Sequence, residues 1–136
     1  MVLFILIGIS AIAQTPTMKQ LMLDLIHPAS NDILLFVNRG APKTDAEWTT
    51  VRRNALTLAQ SEKVLALPGR TEPGDWQKDA KALADVGNAA YKAAQAKDFP
   101  ALSALTDSLD ASCTNCHKQF RPNVFPPKSN ETGGSK

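Results

Sequence analysis

Two cysteines and a histidine near the end of the chain form the pattern with the clearest chemistry. Residues 113–117 read Cys-Thr-Asn-Cys-His, and Cys113 and Cys116 are the only cysteines among 136 residues. The C-x-x-C-H spacing is typical of c-type haem attachment, in which each thiol adds to one vinyl group of the porphyrin. On a helix these side chains share one face. The motif therefore predicts one covalent haem c, with His117 as a ligand of the iron.

Three other interpretations of the cysteine pair compete with haem. A thioredoxin-like redox pair is expected at the start of a helix after a strand, whereas this pair lies at the end of a long helical pattern. A structural zinc site needs four ligands, and the chain has only one further histidine, His27. Inert cysteines are the third alternative, and all three stay open here.

The N-terminus has most features of an export signal. Residues 1–13 are apolar and uncharged and end in Ala-Ile-Ala, a cleavage pattern, although the usual basic n-region is missing. We expect a mature chain from Gln14 in the bacterial periplasm; an apolar helix lying on the domain and a retained membrane anchor are the alternatives. The stretch is too short to span a bilayer, so stable membrane insertion is not expected. The net charge of +2, without a Lys/Arg cluster, gives no support to nucleic-acid binding.

Hydrophobic periodicity predicts four helices joined by short loops. Their approximate ranges are 17–38, 44–67, 75–97 and 98–121. Pro28 should kink the first helix, because its ring removes an internal hydrogen bond. Four such helices predict an all-α, antiparallel up-down-up-down four-helix bundle over residues 14–122, followed by a disordered tail at 123–136.

Local signals mark where these helices start and which faces they bury. Thr44 with Glu47 forms a capping-box sequence, and Asp98 with Pro100 is a second helix start. The predicted buried faces are Met18, Met22, Leu25, Ala29, Ile33 and Phe36; Trp48, Val51, Ala55, Leu58 and Leu65; Trp76, Ala80, Leu83, Gly87, Ala90 and Ala94; and Leu102, Leu105, Leu109, Cys113, Cys116 and Phe120. The small residues of the third face should allow a close approach. The cysteines continue the fourth face, which directs a haem toward the bundle interior.

With C-x-x-C-H on the last helix of a four-helix bundle, the chain resembles the class II c-type cytochromes, the cytochrome c′ and c-556 type. In that family two residues, an aromatic and a basic residue follow the motif, and here residues 118–121 read Lys-Gln-Phe-Arg. The resemblance covers roughly residues 17–121, with the motif-level match confined to the fourth helix. It implies thioethers at both cysteines, His117 as proximal ligand and Arg121 near the proximal haem edge. One departure is Met18, where the family often has an arginine.

The level of each residue in the bundle indicates the ligand on the other side of the iron. In an up-down bundle the first helix starts where the fourth ends. Met22 lies about 7 Å from the start of helix one and His117 about 6 Å from the end of helix four, at ~1.5 Å per residue. We therefore predict Met22 as distal ligand, which matches the c-556 type, whereas cytochrome c′ has an apolar, non-ligating residue there. The alternatives are a core role for Met22, or ligation by Met18 or His27.

The same topology brings the connection between helices two and three to the haem end. Arg70 is predicted to pair with a haem propionate there, and Trp76 to pack on the porphyrin edge. A solvated arginine and an ordinary core tryptophan are the corresponding alternatives.

The sequence thus predicts a small exported electron carrier that docks briefly with redox partner proteins. One alternative is a five-coordinate protein that binds a small gas, NO or CO, in which Met22 does not ligate. A second is a haem-free redox-thiol protein. We do not expect an enzyme, because no acid/base or nucleophile constellation accompanies the motif. Cytochrome c′ proteins are frequently dimers, so a homodimer is a candidate assembly.

Overall fold

The structure is a computed structural model that describes residues 15–124 of the chain. Within this range all regular secondary structure is helical. The predicted signal peptide at 1–13 and all but the first two residues of the predicted tail at 123–136 lie outside the described residues. None of the described helices is long and apolar enough to cross a membrane.

The described helices form four helical segments that pack together as a bundle. Segment 1 contains α1 (Met18–Leu21), a π-helical turn (Met22–Ile26) and α2 (His27–Asn38); segment 2 contains α3 (Asp45–Ala59) and α4 (Ser61–Leu65); segment 3 is α5 (Trp76–Ala96); and segment 4 contains α6 (Phe99–Ser103) and α7 (Thr106–Phe120). Each segment begins and ends within two residues of its predicted range. The short breaks inside segments 2 and 4 were not predicted.

The predicted helix starts are confirmed by their hydrogen bonds. The Thr44 hydroxyl accepts from the backbone N–H of Glu47 at 3.2 Å, and the Glu47 carboxylate accepts from the N–H of Thr44 at 3.0 Å. The N–H groups of Lys43 and Thr44 also hold the pKa of the Glu47 carboxyl below its ordinary value. Asp98 caps segment 4 by accepting from the N–H of Ala101 at 2.9 Å. These bonds satisfy N–H groups that have no partner within the helix.

Segments 2 and 3 run antiparallel, as contacts at their two ends demonstrate. The Lys97 ammonium, just after α5, contacts the Asp45 carboxylate at the start of α3 at 2.6 Å. At the opposite end, the Trp76 indole donates to the backbone oxygen of Leu65 at 3.0 Å. The start of segment 3 therefore lies beside the end of segment 2.

At Gly87 the backbones of these two segments come very close together. A Cβ atom built on Gly87 would lie 2.3 Å from the backbone nitrogen of Ala59 and 2.6 Å from the carbonyl carbon of Leu58. Side chains flanking it on the same face, Ala80, Leu83, Ala90 and Ala94, are buried. The close approach predicted for this face is thus made by segment 2.

The buried face of segment 1 differs from the prediction around the π turn, where Leu21 and Ile26 are buried although neither was predicted to be. Leu25, predicted to be buried, is 39% exposed, whereas Ile26 is 4% exposed. The cause is the π turn, in which the backbone N–H of His27 donates to the carbonyl of Met22, five residues earlier. Such a turn contains one residue more than an α-helical turn and so shifts the register of the preceding residues. The π turn ends at Ile26, two residues before Pro28, the proline that was expected to kink this helix.

Candidate haem-binding site

Two adjoining cavities lie where segment 1 begins and segment 4 ends. Their volumes are about 660 Å³ and about 280 Å³, and four residues line both: Met22, Cys116, His117 and Arg121. Cys113 lines the smaller cavity and Arg70 lines the larger one. All six residues singled out from the sequence therefore meet at one place, in cavities of the size that cofactors occupy.

Helix α7 positions the C-x-x-C-H residues at this place. Cys113, Cys116 and His117 are partly buried, and all three line the smaller cavity. The helix ends at Phe120, and the N–H of Arg121 donates to the His117 carbonyl at 2.8 Å. One face of the last two turns thus presents two thiols and an imidazole to the same space.

The protonation states of these groups follow from their burial. Burial raises the pKa of the Cys113 thiol, and burial together with the Asp79 carboxylate raises that of Cys116 to about 11. Burial, with the positive charges of Arg121 and His27, lowers the pKa of His117. At neutral pH the cysteines are therefore thiols and the imidazole is neutral, with a nitrogen lone pair that can bind a metal.

These thiols differ from those of redox catalysts. Reactive cysteines have a lowered pKa, usually at a helix N-terminus. Here the pKa is raised, and the motif lies near the C-terminus of α7, where the helix dipole disfavours an anion. A zinc site also lacks support, because residues 15–124 contain no group of three or more His, Cys, Asp or Glu side chains arranged to hold a metal ion.

Segment 1 supplies the opposite wall of the cavities. Met22, the first residue of the π turn, is partly buried and lines both. Met18 lines only the larger cavity. His27 is exposed and lines only the smaller one. Of the three predicted distal candidates, Met22 alone shares both cavities with His117.

Arg70 has partners that the sequence did not predict. Its guanidinium donates to the backbone oxygen of Val64 at 3.0 Å and to that of Pro16 at 2.7 Å. It thereby ties the residues before segment 1 to the end of segment 2, at the wall of the larger cavity. A guanidinium has five N–H groups, so these two bonds use part of its capacity. No local sequence pattern marks a contact across 54 residues.

Two aromatic rings close one side of the larger cavity. Trp76 and Phe120 meet edge to face, with ring centroids 4.9 Å apart and planes at 81°. Trp76 is 6% exposed, and its indole is held by the bond to Leu65 described above. Asp79 of the smaller cavity was missed from the sequence, although it follows Trp76 by three residues and so shares a side of the helix.

No protein family matches the chain, and neither characterised proteins nor solved structures show a significant similarity to it.

Proposed function

We propose that this protein is an exported electron carrier resembling the class II c-type cytochromes, with one haem c bound through Cys113 and Cys116. In this proposal His117 and Met22 would supply the two protein ligands of the iron. The observation that carries it is that two adjoining cavities have Met22, Cys116 and His117 in their common wall.

The donor set fits a covalently held haem. Two protonated thiols three residues apart can each add S–H across a vinyl group, a reaction with no leaving group. The neutral imidazole of His117 and the uncharged thioether of Met22 are axial ligands typical of cytochromes c. When bound, the haem supplies a one-electron Fe(III)/Fe(II) couple.

The chain's own residues set the surroundings of that couple. The Met22 thioether favours the reduced state, which raises the reduction potential. Trp76 and Phe120 give one side of the larger cavity an aromatic lining. Arg70 and Arg121 add two positive charges to its lining, beside the single carboxylate of Glu72. Positive charge there suits the carboxylate groups that a haem carries.

Replacement of each methionine tests the assignment of the distal ligand. In the haem-loaded protein, Met22→Ala should convert a low-spin ferric absorption spectrum to a high-spin one and abolish the far-red sulfur-to-iron band. Met18→Ala is the matched control, because Met18 lines only the larger cavity, and its spectrum should stay low-spin. Loss of the band in Met18→Ala but not in Met22→Ala would refute the assignment.

The gas-binding alternative makes a different prediction for the unaltered protein. Its ferric spectrum would be high-spin before any substitution, and CO would bind the ferrous form without displacing sulfur. A haem-free redox-thiol function requires a reactive thiolate, and the raised pKa values of both cysteines argue against it.

A further inference from the structure

The π turn in segment 1 determines which of the side chains near Met22 are buried. Leu21 is 5% exposed and Ile26 is 4% exposed, although five residues separate them. In an α-helix the residue that shares a face with Ile26 would be Met22, four residues earlier. In the π turn, which closes over five residues, this place belongs to Leu21.

The turn therefore decides which of two neighbouring side chains is fully buried. Leu21 is buried, whereas Met22, one residue on and roughly 100° further round the helix, is partly buried, packs against the core and lines the cavities that it shares with His117. Leu23 and Leu25 are 58% and 39% exposed. A regular helix with the same sequence would bury Met22 and turn Leu21 outward.

Pro28 explains why the wide turn lies where it does. A proline inside an α-helix has no N–H to donate, and its ring clashes with the carbonyl four residues earlier, here Asp24. The π turn ends at Ile26, and Pro28 occupies the first turn of α2, where a proline is tolerated. The proline thus disfavours the regular α-helical alternative.

We infer that Pro28 is a positioning residue: by stabilising the π turn, it sets the rotation of segment 1 that presents Met22 to the cavities containing His117. This inference rests on the proposed function for its consequence, the ligation of iron by Met22. The register of the helix itself is independent of that function.

The test is Pro28→Ala in the haem-loaded full chain, with two readouts. In ferrous protein, methyl NMR with a soluble relaxation agent should show that Leu21 becomes exposed to solvent and that Met22 becomes buried. The ferric spectrum should lose its low-spin form. Pro100→Ala is the matched control, since Pro100 is also an exposed proline in the first turn of a helix, α6, at the other end of segment 4. It should change neither readout.

A compensating deletion distinguishes a change in the helical register of segment 1 from a general loss of structure. Deleting Asp24 in the Pro28→Ala background removes one residue between Leu21 and Ile26, so that a regular α-helix again buries Leu21 and presents Met22. This double variant should recover the low-spin spectrum, and it tests the inference even where Pro28→Ala alone does not fold.

Retention of both the burial of Leu21 and the low-spin spectrum in Pro28→Ala would overturn the inference. So would a double variant that folds and stays high-spin. If the unaltered protein has no haem or no sulfur ligand, the proposed function fails, but the NMR measurement of exposure still reports whether Pro28 sets the register.

Discussion

The contact at Gly87 allows the packing of segments 2 and 3 to be tested with a single methyl group. In Gly87→Ala, the added carbon would lie 2.3 Å from the Ala59 nitrogen and 2.6 Å from the Leu58 carbonyl carbon. Ordinary contacts of this kind lie above about 3.4 Å, so the two helices must separate by about 1 Å. Backbone atoms cannot move aside as a side chain can.

The expected cost follows from two opposing effects. Overpacking of a core costs about 1–3 kcal/mol, and contact with backbone places this case at or above the upper end. Replacing glycine by alanine inside a helix stabilises the helix by about 1 kcal/mol. The net loss in the free energy of unfolding should be about 2 kcal/mol, which lowers Tm by about 8 °C for a domain of this size.

Thermal and urea unfolding, followed by circular dichroism, measure this loss. Asn88→Ala is the control, because Asn88 is the exposed neighbour of Gly87 in α5 and its replacement should change stability by less than about 0.5 kcal/mol. A Gly87→Ala protein as stable as the unaltered one, or more stable, would refute the close approach of α5 to the end of α3.

Two further predictions concern the walls of the cavities. Trp76→Phe keeps an aromatic ring but removes the indole donor to the buried Leu65 carbonyl, so the free energy of unfolding should fall by about 1–2 kcal/mol. Trp48→Phe in the same unfolding assay is the control, and a loss in Trp76→Phe no larger than in this control would contradict the prediction. In the folded, haem-free chain the Cys116 thiol has a pKa of about 11 instead of 9.0. At pH 8 it should therefore react with iodoacetamide about 100-fold more slowly than in the urea-unfolded chain, and its rate should increase as the pH rises. Equal rates in the folded and unfolded chains would contradict the burial of this thiol.

Much of the fold could be predicted because its signals are local. The capping box at Thr44 and the aspartate cap at Asp98 act within one turn, and both bonds are present. The buried face of segment 3 follows from a spacing that a regular α-helix preserves over 21 residues. The neighbours of Gly87 are Leu58 and Ala59, about 30 positions earlier in the chain, and periodicity does not reveal such a partner.

The prediction that Leu25 is buried is wrong for a related reason. That prediction assumes a constant α-helical period, and the π turn inserts one residue into that period. Pro28 gave a signal that the helix is irregular, but a proline can be accommodated by a kink or by a wide turn, and these differ in register. The ambiguity is settled by burial of Leu21 and Ile26, which is a tertiary effect.

The candidate site also combines residues that could be predicted from the sequence with contacts that could not. The motif in α7 is contiguous, so its three side chains could be assigned to one face directly. Met22 was selected by its height in the bundle, and it lies in the wall of both cavities with His117. The bonds of Arg70 to Val64 and Pro16 could not be foreseen, because both depend on the path of the loop that carries Arg70 relative to α4 and to the residues before α1.

The mass of the exported protein, produced in a host that matures c-type cytochromes, tests the central claim most directly. We predict a polypeptide heavier by one haem, with a mass that survives acidic solvent extraction and returns to that of the bare chain when Cys113 and Cys116 are both replaced by alanine. A bare polypeptide mass in the unaltered protein would contradict covalent haem attachment and, with it, the proposed function.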